Sequence, residues 1–160
     1  MRMRVGIGYD IHRFGRGREL VLGGVHIPFE RGLLGHSDGD VLCHAVMDSL
    51  LGASGFPDIG FWFPPEDPKY KGAYSLKLLH EVGSKIQNAG WRIVNIDTVL
   101  IAEKPRLQEF IPSIRERVAN VLSLDAGRFN VKATTNEGVG ALGGGEAISC
   151  YAVSLLVSEN

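Results

Sequence analysis

Val5-Gly6-Ile7-Gly8-Tyr9-Asp10-Ile11-His12 is the stretch on which the fold turns. Its apolar residues alternate with Gly6, Gly8, Asp10 and His12, and a period of two means a strand. One face is therefore apolar, and the other carries two glycines followed by a carboxylate and an imidazole. The glycines clear that second face for close approach by another element. Asp10 and His12, two residues apart on the same face, can both reach one ion.

Outward from this strand, Glu19 to Leu22 and Val25 to Pro28 flank Gly23-Gly24, the pattern of a tight hairpin. Ser37-Asp38-Gly39-Asp40 then precedes apolar Val41, Leu42, Ala45, Val46 and Leu50. This predicts a helix of about four turns, capped by Ser37 and the acids around it and ending near Gly52 to Gly55. Four prolines and four aromatics between Phe56 and Gly72 prevent regular structure for long. A long loop in a compact fold is usually functional or mobile. Ser75 to Ala89 reads as a helix with Leu76, Leu79, Val82 and Ile86 inward and Gly90 as its stop. Ile93 to Ala102 is a strand, Leu107 to Leu122 helical but interrupted or re-started at Pro112, Phe129 to Thr135 a strand, and Ala147 to Val157 a final strand. Helices interleaved with strands and one hairpin predict an α+β fold, a mixed sheet with helices packed on one face.

The 160 residues fit one domain, residues 1–160, large enough to bury a core without staples. A net charge of −1 excludes a global basic field, so no nucleic-acid partner is expected, and a polyanionic ligand must be held locally. Cys43 and Cys150 form no metal-type or redox-type pair and read as reduced, buried thiols of a cytoplasmic protein. No apolar leader or long apolar span is present, which argues against a signal peptide or a membrane helix.

His44, on the first helix, supplies a third N/O donor beside Asp10 and His12, the ligand count of a catalytic zinc with its fourth position open. Asp48, one turn on, is placed to orient an imidazole from behind. His36 is needed by no cap and stands out for that reason. On the other side, Lys132-Ala133-Thr134-Thr135-Asn136-Glu137 runs from a strand into the glycine-rich stretch Gly138 to Gly145. Threonine hydroxyls and free backbone N–H groups suit phosphate oxygens, and Glu137 suits a hard cation such as Mg²⁺. Neither a P-loop nor a dinucleotide fingerprint is present. These residues alone leave open a metal-dependent phosphohydrolase, with Asp48 as base, or a non-catalytic nucleotide-binding protein.

Taken together, Asp10-Ile11-His12, Gly23-Gly24-Val25, His36 to Asp40 with His44, Asp58-Ile59-Gly60, Phe63-Pro64, Tyr70 to Ala73, Lys132 to Thr135, Glu137 and Gly145-Glu146 resemble the 2-C-methyl-D-erythritol 2,4-cyclodiphosphate synthase family of the non-mevalonate isoprenoid pathway. The resemblance spans nearly the whole chain in the family's order. It implies a phosphorus–oxygen lyase that cyclises 4-diphosphocytidyl-2-C-methyl-D-erythritol 2-phosphate with release of CMP. It implies Zn²⁺ on Asp10, His12 and His44, and Mg²⁺ or Mn²⁺ on Glu137 with the substrate. His36 and Thr135 would steady phosphates, assisted by Ser37, Thr134 and Asn136. Asp58, Ile59 and Gly60 would contact the methylerythritol. Phe63, Pro64, Pro65, Glu66 and Asp67 would close as a lid. The turn Ala102, Glu103, Lys104, Pro105, Arg106, Leu107 and Gln108 would read cytosine. It further implies a homotrimer, its sheets facing a three-fold axis and its active sites between subunits. The chain departs from the family pattern at Gly144 and Tyr151, where Arg and Glu are common and help line an anion or isoprenoid cavity on the axis. It also departs at Ala141, Asn136 and Arg106.

Overall fold

The computed structural model describes residues 1–158, so the last two of the expected 1–160 domain lie outside the described residues. Strand β1 (Arg2–Gly15) is longer than its alternating core. The hairpin is β2 (Leu20–Leu22) and β3 (Val25–Ile27), and its turn has Gly23 and Gly24 at φ +56° and +71°. Both values lie where only glycine turns freely. A short β4 (Gly32–Leu33) follows, then α1 (Val41–Ser54). Next come a single turn α2 (Ile59–Trp62), α3 (Ser75–Asn88), β5 (Arg92–Ile101) and α4 (Ile111–Val121). The last described elements are β6 (Phe129–Thr134), a one-turn α5 (Gly140–Gly143) and β7 (Ala147–Ser158).

The main sheet has the order β4-β1-β7-β5-β6. Only β5 and β6 run parallel, so the sheet is mixed, as the interleaved pattern predicts. Helix α1 lies across β1 and β7, and α3 packs on α1.

The glycine face of β1 is the buried one. A Cβ on Gly6 would stand 2.0 Å from the carbonyl oxygen of Ser49, and one on Gly8 1.8 Å from that of Ala45. Helix α1 answers with small residues, Ala45, Ser49 and Ala53, at four-residue spacing on one side. The strand's apolar face is left bare in the single chain. Val5 and Ile7 are 67% and 68% exposed, and Tyr9 stacks on Tyr151 of β7 at 4.6 Å between ring centres.

One expectation about an element start is corrected and a second is narrowed. The cap of α1 is Asp40, not Ser37: its carboxylate accepts from the N–H of Cys43 (3.1 Å) and also from Gly23 (2.9 Å) and Gly24 (2.7 Å). The fully buried carboxylate thus ties the hairpin turn to the helix. Of the 107–122 stretch only the part re-started at Pro112 is helical: α4 begins at Ile111, with Pro112 in its first turn, where a missing N–H costs nothing. Leu107, itself buried, leads into a largely exposed turn ahead of that helix, in which its carbonyl accepts from the N–H of Phe110 (2.9 Å). The 56–72 stretch breaks into short turns, as its prolines require.

Gly8→Ala should cost about 1–3 kcal/mol or more through overpacking against the backbone of α1. Urea unfolding measures this, and an unchanged midpoint would contradict the close approach.

Candidate metal centre

Asp10 and His12 project from β1 towards α1, and His44 reaches back from the first turn of that helix. Asp10 Oδ2 lies 2.8 Å from His12 Nε2 and 2.9 Å from His44 Nδ1, and the two nitrogens are 3.1 Å apart. A tetrahedral ion with ligand bonds near 2.05 Å would space its ligands about 3.3 Å apart. The triangle is close to that size. Among the described residues it is the group whose donors converge tightly enough to hold a metal.

The groups behind the rings fix the tautomers. His12 Nδ1 lies 2.5 Å from the carbonyl oxygen of Leu34, which only accepts, so Nδ1 carries the proton and donates it there. Ser75 Oγ donates its one hydrogen to Asp38 Oδ1 (2.5 Å), so at 3.0 Å it can only accept from His44 Nε2. Ser37 Oγ lies 3.0 Å from the same nitrogen. With both rings neutral, two bare nitrogens and a carboxylate oxygen face one another with no hydrogen between them. Such an arrangement calls for a cation, and the N₂O donor set fits a borderline-soft divalent ion. Burial raises the pKa of Asp10, but the bonds and attraction that His12 and His44 supply when a proton, instead of a cation, sits on their inner nitrogens outweigh it and bring the carboxyl down to about 2. Burial likewise lowers His12, yet its bond and attraction to Asp10 leave it raised.

Asp48 does not support an imidazole. Its Oδ1 accepts from the N–H of Ile59 (2.9 Å), tying α2 to α1. The imidazole of His44 is held instead by Ser37 and the Ser75–Asp38 pair, a connection the sequence does not signal.

A cavity of about 240 Å³ opens over the triangle. His36, Ser37, Ile59, Gly60, Phe63 and Pro65 line it, so these expected residues do converge on the metal centre. Asp58, Pro64, Glu66 and Asp67 are not among the lining residues; Asp58 caps α2 and Asp67 accepts from the N–H of Lys69. Met47, Tyr70 and Leu78 complete the wall. Met47, three residues after His44, was findable from helical spacing.

A second cleft, of about 730 Å³, is formed by Ala102 to Gln108, by Ala133 to Thr135 and by Phe29. It shares no lining residue with the first. Glu103 Oε1 accepts from the N–H of Asn136 (2.7 Å), which fastens the two expected stretches together. Exposed Glu137 sits beside them at φ +51°, its carboxylate accepting from Thr135 Oγ1 (3.2 Å), and lies outside the Asp10 cluster. Cys43 and Cys150 are free and buried, and burial pushes both thiols' pKa values up.

The fold is α+β, with a candidate metal-binding triad at Asp10, His12 and His44 and a separate cleft lined by Ala102 to Gln108 and Ala133 to Thr135. Residues 3–157 match the model of the YgbB family. The 2-C-methyl-D-erythritol 2,4-cyclodiphosphate synthase of Synechococcus sp. (strain JA-2-3B'a(2-13)) is 54% identical over 157 residues, covering 98% of this chain and all of the relative. The synthase of the same name from Clostridium perfringens (strain 13 / Type A) is 54% identical over 155 residues, covering 97% and 99%. Among solved structures, the bifunctional IspDF of Campylobacter jejuni superposes with a TM-score of 0.95 at 40% identity, covering 99% of this chain and 43% of that one. The CDP complex of Plasmodium falciparum IspF gives 0.86 at 35% identity, covering 99% and 97%. The chain belongs to the YgbB family, with relatives named 2-C-methyl-D-erythritol 2,4-cyclodiphosphate synthase.

His44→Ala should lower divalent-metal affinity at least about a hundredfold with the circular dichroism of the fold retained; stoichiometric metal in that variant would refute the centre. Protons compete with a metal for His12 Nε2, and its pKa is raised above 6.5. Metal affinity should therefore begin to fall above pH 6.5 as pH is lowered, with Asp10 still ionised. Chelator competition from about pH 8 to about pH 5 would show this, and a loss confined below 6.5 would count against it.

Proposed function

We propose that this chain is a single-domain cyclodiphosphate synthase of the non-mevalonate isoprenoid precursor pathway, acting on 4-diphosphocytidyl-2-C-methyl-D-erythritol 2-phosphate. An oxygen of the 2-phosphate attacks the β-phosphorus, the bond from that phosphorus to the bridging oxygen breaks, and CMP leaves with that oxygen. The product is 2-C-methyl-D-erythritol 2,4-cyclodiphosphate, and the reaction class is a phosphorus–oxygen lyase. The observation that carries the reading is the triangle of three bare acceptors under a cavity that also presents His36. The names of relatives at 54% identity support the substrate, and the CDP complex of a solved relative supports its cytidine half.

When bound, Zn²⁺ at Asp10, His12 and His44, and Mg²⁺ or Mn²⁺ at Glu137, would neutralise phosphate charge and align an in-line displacement. The chain's own side chains do the remaining work. His36, with Ser37, holds phosphate oxygens over the metal centre. Ile59 and Gly60 face the methylerythritol, and Phe63 to Asp67 exclude water above it. Thr134, Thr135 and Asn136 offer hydroxyl, amide and backbone donors to the diphosphate. The turn Ala102 to Gln108 reads cytosine through its backbone groups.

Three copies complete the site. The bare apolar face of β1 and β7 supports packing of sheets around a three-fold axis. The metal cavity and the Ala102 to Thr135 cleft share no lining residue. A substrate spanning both would draw each from a different subunit.

Incubation with the substrate and Mg²⁺ should yield CMP and cyclic diphosphate in equal amounts by phosphorus NMR. Opened phosphates would identify a hydrolase, and no turnover a binding protein. Glu137→Gln should raise the Mg²⁺ needed for half-maximal activity by roughly tenfold; an unchanged Mg²⁺ dependence would remove Glu137 from the metal ligands.

A further inference from the structure

We propose that Arg18 is a positioning residue for His36, a role that rests on the reading of His36 as a phosphate-steadying group. The segment 34–37 belongs to no helix or strand, yet it touches both imidazoles of the metal centre. The carbonyl of Leu34 accepts from His12 Nδ1, and Ser37 Oγ meets His44 Nε2. A Cβ at Gly35 would stand 2.9 Å from His12 Cε1, so the strap lies flat on that ring.

A strap outside regular structure has no ladder to hold its carbonyls. Arg18 supplies the missing donors. Its Nη1 donates to the carbonyl of Gly35 (2.9 Å) and its Nη2 to that of Ser37 (2.6 Å). The carbonyl between them, that of His36, accepts from the N–H of Gly72 (2.9 Å). One guanidinium therefore brackets His36 on both sides. The planar fork matters, because two carbonyls two residues apart need two donors of fixed separation, which a lysine ammonium does not present.

Arg18 does not line the metal cavity. Its influence on the reaction passes through the strap. Other anchors remain without it: the N–H of Leu34 donates to the carbonyl of Arg13 (2.8 Å), and that of Asp38 to Ala73 (3.2 Å). Losing the fork should release His36 from its place over the phosphates while the fold persists.

The test is a cycle of R18A, H36A and the double variant, assayed for kcat and KM with the cyclodiphosphate-forming substrate. R18A should lose about tenfold to a hundredfold in kcat, the scale of a misplaced group, with KM little changed. The double variant should be no slower than H36A. Added guanidinium ion should restore part of the rate to R18A and none to the double variant. If R18A does not fold, R18K carries the test, with a smaller loss in kcat that again disappears in the H36A background. Wild-type kcat in R18A beside an impaired H36A, or losses that multiply in the double variant, would overturn the role of Arg18. Full activity in H36A would overturn the role of His36, and this proposal with it.

Discussion

The distance between β1 and α1 is the constraint on which everything else depends. His44 can meet Asp10 only because the helix lies almost on the strand's backbone, and it lies there because Gly6 and Gly8 have no Cβ to hold it off. The small-residue surface continues across the sheet. Gly6 pairs with Ser154 and Gly8 with Ala152, so α1 meets a floor of glycine, alanine and serine spanning two strands. In that contact Ser49 Oγ donates to the carbonyl oxygen of Val46 (2.8 Å) and accepts from the hydroxyl of Ser154. Close packing of this kind is stiff, since a one-carbon change has nowhere to go.

The polar groups around the metal centre form a second layer of order. Asp40 binds three backbone N–H groups and fixes where the helix begins, while Asp38 binds both the N–H and the hydroxyl of Ser75. Ser75 in turn decides which nitrogen of His44 is bare. The four residues 37–40 thus serve the fold and the site together. Neighbouring acids in one loop divide the labour by direction: Asp40 points into the hairpin turn, and Asp38 points to the start of α3.

Much of this was legible in the sequence. Alternation from Val5 to His12 gave the strand and placed Asp10 beside His12, and the Gly23-Gly24 pair gave the hairpin. The convergence of His44 on them was suggested by residue type, but it becomes geometry only through a packing contact 32 residues away in sequence. A period of two also does not say which face is buried. Hydrophobicity alone favours the Val5-Ile7-Tyr9 face, yet in the single chain that face is bare and the glycine face is covered, because shape rather than apolarity decides where a helix can lie closest. Shape also decides which residue caps α1. Serine and aspartate both cap well, and only the hairpin turn folding back over Asp40 selects between them. Side chains that bind distant carbonyls, as Arg18 does, leave no periodic trace.

The two cavities with separate linings have a genetic consequence. On the trimeric reading, each reaction centre takes its metal half from one copy and its cytidine half from the next. A lesion at His44 and a lesion at the Ala102 to Gln108 turn would then damage different halves, and mixed trimers would contain some centres built from two sound halves. Two inactive alleles of this single gene would complement each other, as though they were separate genes.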